Sequence, residues 1–224
     1  MPPSKAPVRR KPLVIATANP GKLREFRELL ADLPFDVVAQ GDLGISSAAE
    51  TGLTFLENTL IKARHAAAAA GVAAIADDSG LEVDALGGAP GIYSARYAGA
   101  GAEDAANNAK LLVALTERAP PAAQCSGSIT KSGWSARYRC ALAFVSDDPT
   151  TAPLTAEAVW EGLVVAAPRG TSGFGYDPYF WIPELGMTVA ELAPEDKNRV
   201  SHRAAAQRLL RERMAAQLDA APGA

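Results

Sequence analysis

Cysteine, histidine and aromatic residues are scarce in this chain, and each scarcity closes off an explanation. Two cysteines, Cys125 and Cys140, are too few for a disulfide framework and point to a reducing, cytoplasmic setting. Two histidines, neither at metal-ligand spacing, argue against a zinc centre. No apolar run approaches the length of a bilayer crossing. Positive charge is not in excess: the net charge of −3 and a pI near 5.5 argue against a nucleic-acid binder, which needs a broad basic surface. No internal repeat is present. What remains is a chain of 224 residues, 48% hydrophobic, long enough for one well-buried domain. Residues 1–12 hold Lys5, Arg9, Arg10 and Lys11 among prolines and lack the apolar stretch of a signal peptide, so they read as a disordered tail. Residues 13–219 are expected to form a single domain, followed by a short C-terminal tail over 220–224.

Against that background four stretches carry chemistry. The first, Ile75-Ala76-Asp77-Asp78-Ser79-Gly80, reads as a small-residue strand that stops at two carboxylates and a turn. Such a strand end can deliver hard oxygen donors to magnesium, which takes only one or two carboxylates from a protein. Taken alone, the same composition is equally that of an ordinary turn. The second, residues 13–22 with Leu23, Phe26, Leu29 and Leu30 at helical spacing, reads as strand, tight loop and helix. Lys22 then lies in the first helical turn, the wrong end for a cation, and an anion there would resolve the conflict. The pattern is not a P-loop, because Leu23 follows the lysine and the preceding glycines are missing.

The third stretch is Gly170 to Phe180, where glycines at 170, 173 and 175 alternate with Phe174, Tyr176, Tyr179 and Phe180. Only 6% of the chain is aromatic, so this concentration suits stacking of a flat heterocycle, or else a core hairpin. Further on, Ser201 reads as an N-cap from whose helix His202 and Arg203 project, although a lone histidine is by default an incidental surface residue. Helices are also expected over 54–70 and 102–117, and strands over 138–145 and 156–165. On the first of these helices Glu57, Asn58 and Lys62 either reach a site or line a solvated face.

Thr17-Ala18-Asn19-Pro20-Gly21-Lys22, Ala76-Asp77-Asp78-Ser79-Gly80-Leu81, Gly87-Gly88-Ala89-Pro90-Gly91 through Arg96-Tyr97, Gly173-Phe174-Gly175-Tyr176-Asp177-Pro178 and Ser201-His202-Arg203 occur in this order. Together they resemble the Ham1-type inosine/xanthosine triphosphate pyrophosphatases. The resemblance implies an α/β fold of two lobes around a long mixed twisted sheet, with an active-site cleft between them. It implies magnesium dependence, a cytoplasmic homodimer, and hydrolysis of ITP, dITP and XTP to monophosphate and pyrophosphate, which cleanses the nucleotide pool.

Carried onto this sequence, the resemblance makes Thr17, Ala18, Asn19, Pro20, Gly21 and Lys22 a triphosphate-binding loop, with Ala18 where the family usually has glycine. Asp78 resembles the metal-binding general base, and Glu50, preceded by Ala49 where many relatives carry a second acid, resembles the other metal ligand. Ser79 then contacts substrate, Phe174, Gly175, Tyr176, Asp177 and Lys197 line the nucleoside side, and His202 and Arg203 face the purine. The segment 124–134 is longer than the family's usual connection and reads as a surface insertion. Two rivals remain: a Maf-like or kinase-like phosphotransfer enzyme, and a nucleotide-binding module without turnover.

Overall fold

The computed structural model describes residues 10–17, 19–118 and 133–220. Seven strands and five α-helices follow in the order β1 (Lys11–Ile15), α1 (Pro20–Leu29), β2 (Phe35–Ala39), α2 (Phe55–Ala70), β3 (Ala73–Val83), α3 (Asp104–Thr116), β4 (Trp134–Val145), β5 (Leu154–Val164), β6 (Phe180–Ile182), β7 (Met187–Thr188), α4 (Pro194–Val200) and α5 (His202–Ala220). The strands form one mixed sheet in the order β2-β1-β3-β4-β5-β6-β7. β1 runs parallel to β2 and β3, whereas β6 is antiparallel to β5 and β7. This is the mixed α/β architecture expected from the sequence. Lys11 and Pro12, assigned above to the tail, belong to β1, while residues 1–9, Ala18, Cys125 and most of the segment 124–134 lie outside the described residues.

Chain contacts divide into two compact units. One comprises the described residues up to Asp78, Ala141–Glu157 and the residues from Ala206 onward; the other comprises Ser79–Cys140 and Ala158–Ala205. In the first, β3 contributes Ala74 and Ala76 on one face, since strand side chains alternate. These small residues let α2 bring Ala63, Ala66 and Ala67 close, around Val14, Ala16 and Ala143. Alanine on both sides costs little side-chain entropy and favours the helix. The second unit is built on larger side chains: Leu81 and Val83 of β3 pack with Leu111 and Leu115 of α3, Tyr138 of β4, Tyr176 and Phe180.

One sequence expectation is corrected. β3 does not end at the acidic pair but continues through Val83, with Asp77, Asp78, Ser79 and Gly80 inside the strand. The turn-like composition is overridden because Leu81 and Val83 are fully buried in the second unit's core and because the carboxylates find lysine partners rather than turn amides. Among the described residues no helix is long and apolar enough to cross a membrane.

The start of α2 is set locally. Thr54 Oγ1 accepts the Glu57 N–H at 3.1 Å, and the Glu57 carboxylate accepts the Leu53 N–H at 2.6 Å. Replacing such a cap costs about 1 kcal/mol. Thr54→Ala should therefore lower stability by roughly that amount in urea unfolding. An unchanged midpoint would assign the helix start to the Glu57 bond alone.

Candidate active site

Two groups of polar residues, one in each unit, contain the residues singled out in the sequence. In the first unit the sequence Asn19-Pro20-Gly21 begins α1 as expected. Asn19 Oδ1 accepts the N–H groups of Gly21 at 2.8 Å and Lys22 at 3.2 Å, and Thr17 Oγ1 accepts the Asn19 N–H at 3.2 Å. These helix-start amides are thus already capped, because asparagine is among the strongest N-caps. The anion that the position of Lys22 called for is also internal: Lys22 Nζ lies 2.6 Å from a carboxylate oxygen of Asp77, which is only 3% exposed.

Alternation along β3 sends the next carboxylate the other way. Asp78 meets Lys62 of α2, whose Nζ lies 3.3 Å from Asp78 Oδ1 and 3.0 Å from Glu50 Oε1. One ammonium therefore sits between two carboxylates. Burial pushes the Asp78 carboxyl above its ordinary value; Lys62 pulls it down and the Glu50 charge pushes it up again. Burial alone would lower Lys62, but Asp78, Asp77 and Glu50 outweigh it and hold the amine above its usual range, so it stays charged. Thr17, Lys22, Glu50, Lys62 and Asp77 line a common cavity with Gln40 and Ser47.

In the second unit Asp177 is the hub. Its buried carboxylate accepts three bonds: Tyr138 Oη to Oδ1 at 3.1 Å, and the Phe174 N–H at 2.9 Å and Lys197 Nζ at 2.5 Å to Oδ2. Gly173 has φ +81°, and a Cβ there would collide with the Asp177 carboxylate, so only glycine fits. Tyr138 also stacks on His202, with ring centroids 4.9 Å apart and planes within 11°. Burial, followed by the Asp177 charge, raises the Tyr138 hydroxyl far above its ordinary value, which keeps it a donor. Arg203 Nη2 donates to Ser79 Oγ at 3.2 Å. His202 and Arg203 are 7% and 6% exposed, so the histidine is not the incidental surface residue that is the default expectation. Phe174, by contrast, is 52% exposed, with Lys197 Nζ 4.4 Å and the Arg203 guanidinium 5.7 Å from its ring centre. An open ring beside two cations has the chemistry to stack with a flat, electron-rich heterocycle. Ser79, Phe174, Gly175, Tyr176, Asp177, Lys197, His202 and Arg203 all line this second cavity.

The structure thus groups Thr17, Lys22, Glu50, Asp77 and Lys62 in one unit, with Asp78 joined to them through Lys62, and the nucleoside-side candidates in the other; Ala18 is outside the described residues. Tyr138 was legible only as a strand residue, and nothing in its spacing marks it. Lys62, read from the sequence as either reaching a site or lining a solvated face, lies between Glu50 and Asp78.

Each unit thus carries its own cavity lined by buried charged side chains. The chain belongs to the Ham1 family, whose model matches residues 13–213. A Yersinia pestis protein named dITP/XTP pyrophosphatase is 52% identical over 200 residues, covering 88% of this chain and 95% of that one. A Pectobacterium atrosepticum protein of the same name is 54% identical over the same shares. The structure of a HAM1 protein from Coxiella burnetii aligns with a TM-score of 0.81 at 42% identity, covering 92% of this chain and 99% of the other.

Tyr138→Phe keeps the ring stack and removes one donor from a buried carboxylate. Leaving such a charge short of a donor costs about 1–3 kcal/mol. A loss of stability in that range is expected in denaturant unfolding; none would show that Lys197 and the Phe174 amide satisfy Asp177 by themselves.

Proposed function

We propose that this chain hydrolyses the non-canonical purine nucleoside triphosphates ITP, dITP and XTP to monophosphate and pyrophosphate, with Asp78 as general base. The observation that carries the reading is Asp78 itself, a carboxylate held beside a lysine and a second acid and raised by burial toward the range of a proton acceptor. Family membership and relatives at 52% and 54% identity named dITP/XTP pyrophosphatase support it.

The donor set fits magnesium. Glu50 and Asp78 both turn an oxygen to one ammonium within 3.3 Å, a place where a cation is welcome. Two carboxylates are what magnesium takes from a protein, the remainder coming from water and substrate phosphate. When bound, it supplies charge neutralisation on the phosphate oxygens. Lys22 binds the β- and γ-phosphates, exchanging part of its pairing with Asp77 for the substrate. Lys62 holds Glu50 and Asp78 in register, and Asp78 orients the water and takes its proton as it attacks the α-phosphorus. In the second unit Phe174 stacks on the purine, and Lys197, His202 and Arg203 supply donors suited to a 6-keto oxygen. The amino group of adenine would face donors with its own N–H, a mismatch worth about 1–3 kcal/mol for each bond left unmade. A reduced cytoplasm, in keeping with the two cysteines of the chain, and a homodimer complete the reading, on the strength of the family resemblance.

Incubation with magnesium and each of ITP, XTP, dITP, ATP and GTP should give monophosphate plus pyrophosphate from the first three, little from ATP or GTP, and none after chelation. Diphosphate plus orthophosphate would move the cut to the β–γ bond and refute the proposal. Preferential cleavage of ATP would favour the Maf-like alternative, and tight ITP binding without turnover the binding module.

Asp78→Asn should lower kcat by about 10²–10⁴-fold, the usual contribution of a general base, with the fold intact by circular dichroism. Near-normal turnover at saturating magnesium would pass the role to Asp77 or Glu50. Lys22→Ala should lower kcat/KM for ITP by roughly 10–10²-fold, the worth of a charged hydrogen bond. An unchanged value would leave Lys22 only its structural pairing with Asp77.

A further inference from the structure

Phe174 is the exposed element of the purine end, and its backbone has glycine on both sides: Gly173 and Gly175 at φ +81° and +63°. A stacking ring carried between two such permissive residues has no fixed orientation unless something outside the loop holds it. The Asp177 carboxylate holds one side through the Phe174 N–H. The other side is held from α3. Asp104 Oδ2 accepts the Gly175 N–H at 2.6 Å, and Asn108 Nδ2 donates to the Gly175 carbonyl at 2.8 Å. The same amide group also donates to the Asp104 carbonyl at 2.9 Å, and the four-residue spacing puts both side chains on one helix face. Leu111 and Leu115, fully buried in the unit's core, anchor α3 beneath them.

We propose that Asp104 and Asn108 are positioning residues that clamp the Gly175 backbone from both sides and so fix the Phe174 platform for the purine. The clamp rests on the functional reading above only for its purpose, not for its geometry. Neither residue need touch the phosphates or the reacting atoms, so its loss falls on KM and on discrimination between purines rather than on kcat.

The test has two arms. Amide exchange of Gly175, followed by NMR on the full chain without nucleotide, reads the clamp alone. Asp104→Ala should speed it about tenfold or more, as expected when a charged hydrogen bond is removed. Steady-state kinetics read the purpose: Asp104→Ala should raise KM for ITP by about tenfold with kcat within about threefold, and narrow the ITP-to-GTP ratio of kcat/KM. Asp104→Asn, whose amide oxygen can still accept the Gly175 N–H, should recover most of both effects. Asn108→Ala, which leaves the Asp104 bond in place, should raise KM in the same direction by less and serves if Asp104→Ala does not fold. Unchanged Gly175 exchange in the Asp104 variant, or in Asn108→Ala if that is the one that folds, overturns the clamp. An unchanged KM, or equal losses of kcat for all substrates, overturns its role in purine placement. Failure of Asp104→Asn to rescue would make the charge a substrate contact and likewise contradict the proposal. A wild-type protein that leaves ITP intact defeats the functional reading while the exchange arm still decides the clamp.

Discussion

Adjacent carboxylates in the middle of a β-strand are tolerable only if each has its own cation, and this constraint organises the first unit. Asp77 and Asp78 repel one another, and both are largely removed from water. Strand alternation parts them: Asp77 takes Lys22 from α1, and Asp78 takes Lys62 from α2, which also engages Glu50. Both helices are thereby tied to β3 by charge, and α2 by apolar packing as well. Breaking either pair would strand a shielded carboxylate, which costs far more than a surface ion pair contributes. Three acids and two lysines thus meet around β3 in the first unit.

The same physics recurs in the second unit with different donors. Asp177 is a buried acid, and it is satisfied by a hydroxyl, an amide and an ammonium together. Its partners are not interchangeable: Tyr138 carries the bond into the stack with His202, Lys197 carries it to the face of Phe174, and the Phe174 amide fixes the loop itself. A single carboxylate thus sets the positions of an aromatic platform and two cationic or ring donors around it. In the proposed function such a network serves purine selectivity, because donors locked in place penalise a mismatched base more than mobile ones do.

Local chemistry made much of this legible in the sequence. Asn19-Pro20-Gly21 and Thr54 mark helix starts that the structure retains, and the alanine run of α2 announces its close packing. The ordered motifs assembled into two polar groups. What sequence could not show depends on partners distant in the chain. The Asp77-Asp78-Ser79-Gly80 stretch has turn composition, and only Lys22, Lys62 and the apolar residues beyond it reveal a continuous strand. Lys22 calls for an anion and faces Asp77 in the structure, and the nearby amides are capped by Asn19, partners that local pattern does not name. Tyr138 looks like any strand tyrosine until Asp177 and His202 are placed beside it. Asp104 and Asn108 meet Gly175 across 71 and 67 residues, a pairing no local pattern encodes.

In the proposed reaction water oriented by Asp78 attacks the α-phosphorus, and the oxygen of that water can be followed directly. Turnover of ITP with magnesium in ¹⁸O-enriched water, with both products read by mass spectrometry, should place one heavy oxygen in inosine monophosphate and none in pyrophosphate. Label in the pyrophosphate would put the attack on the β-phosphorus and contradict the account.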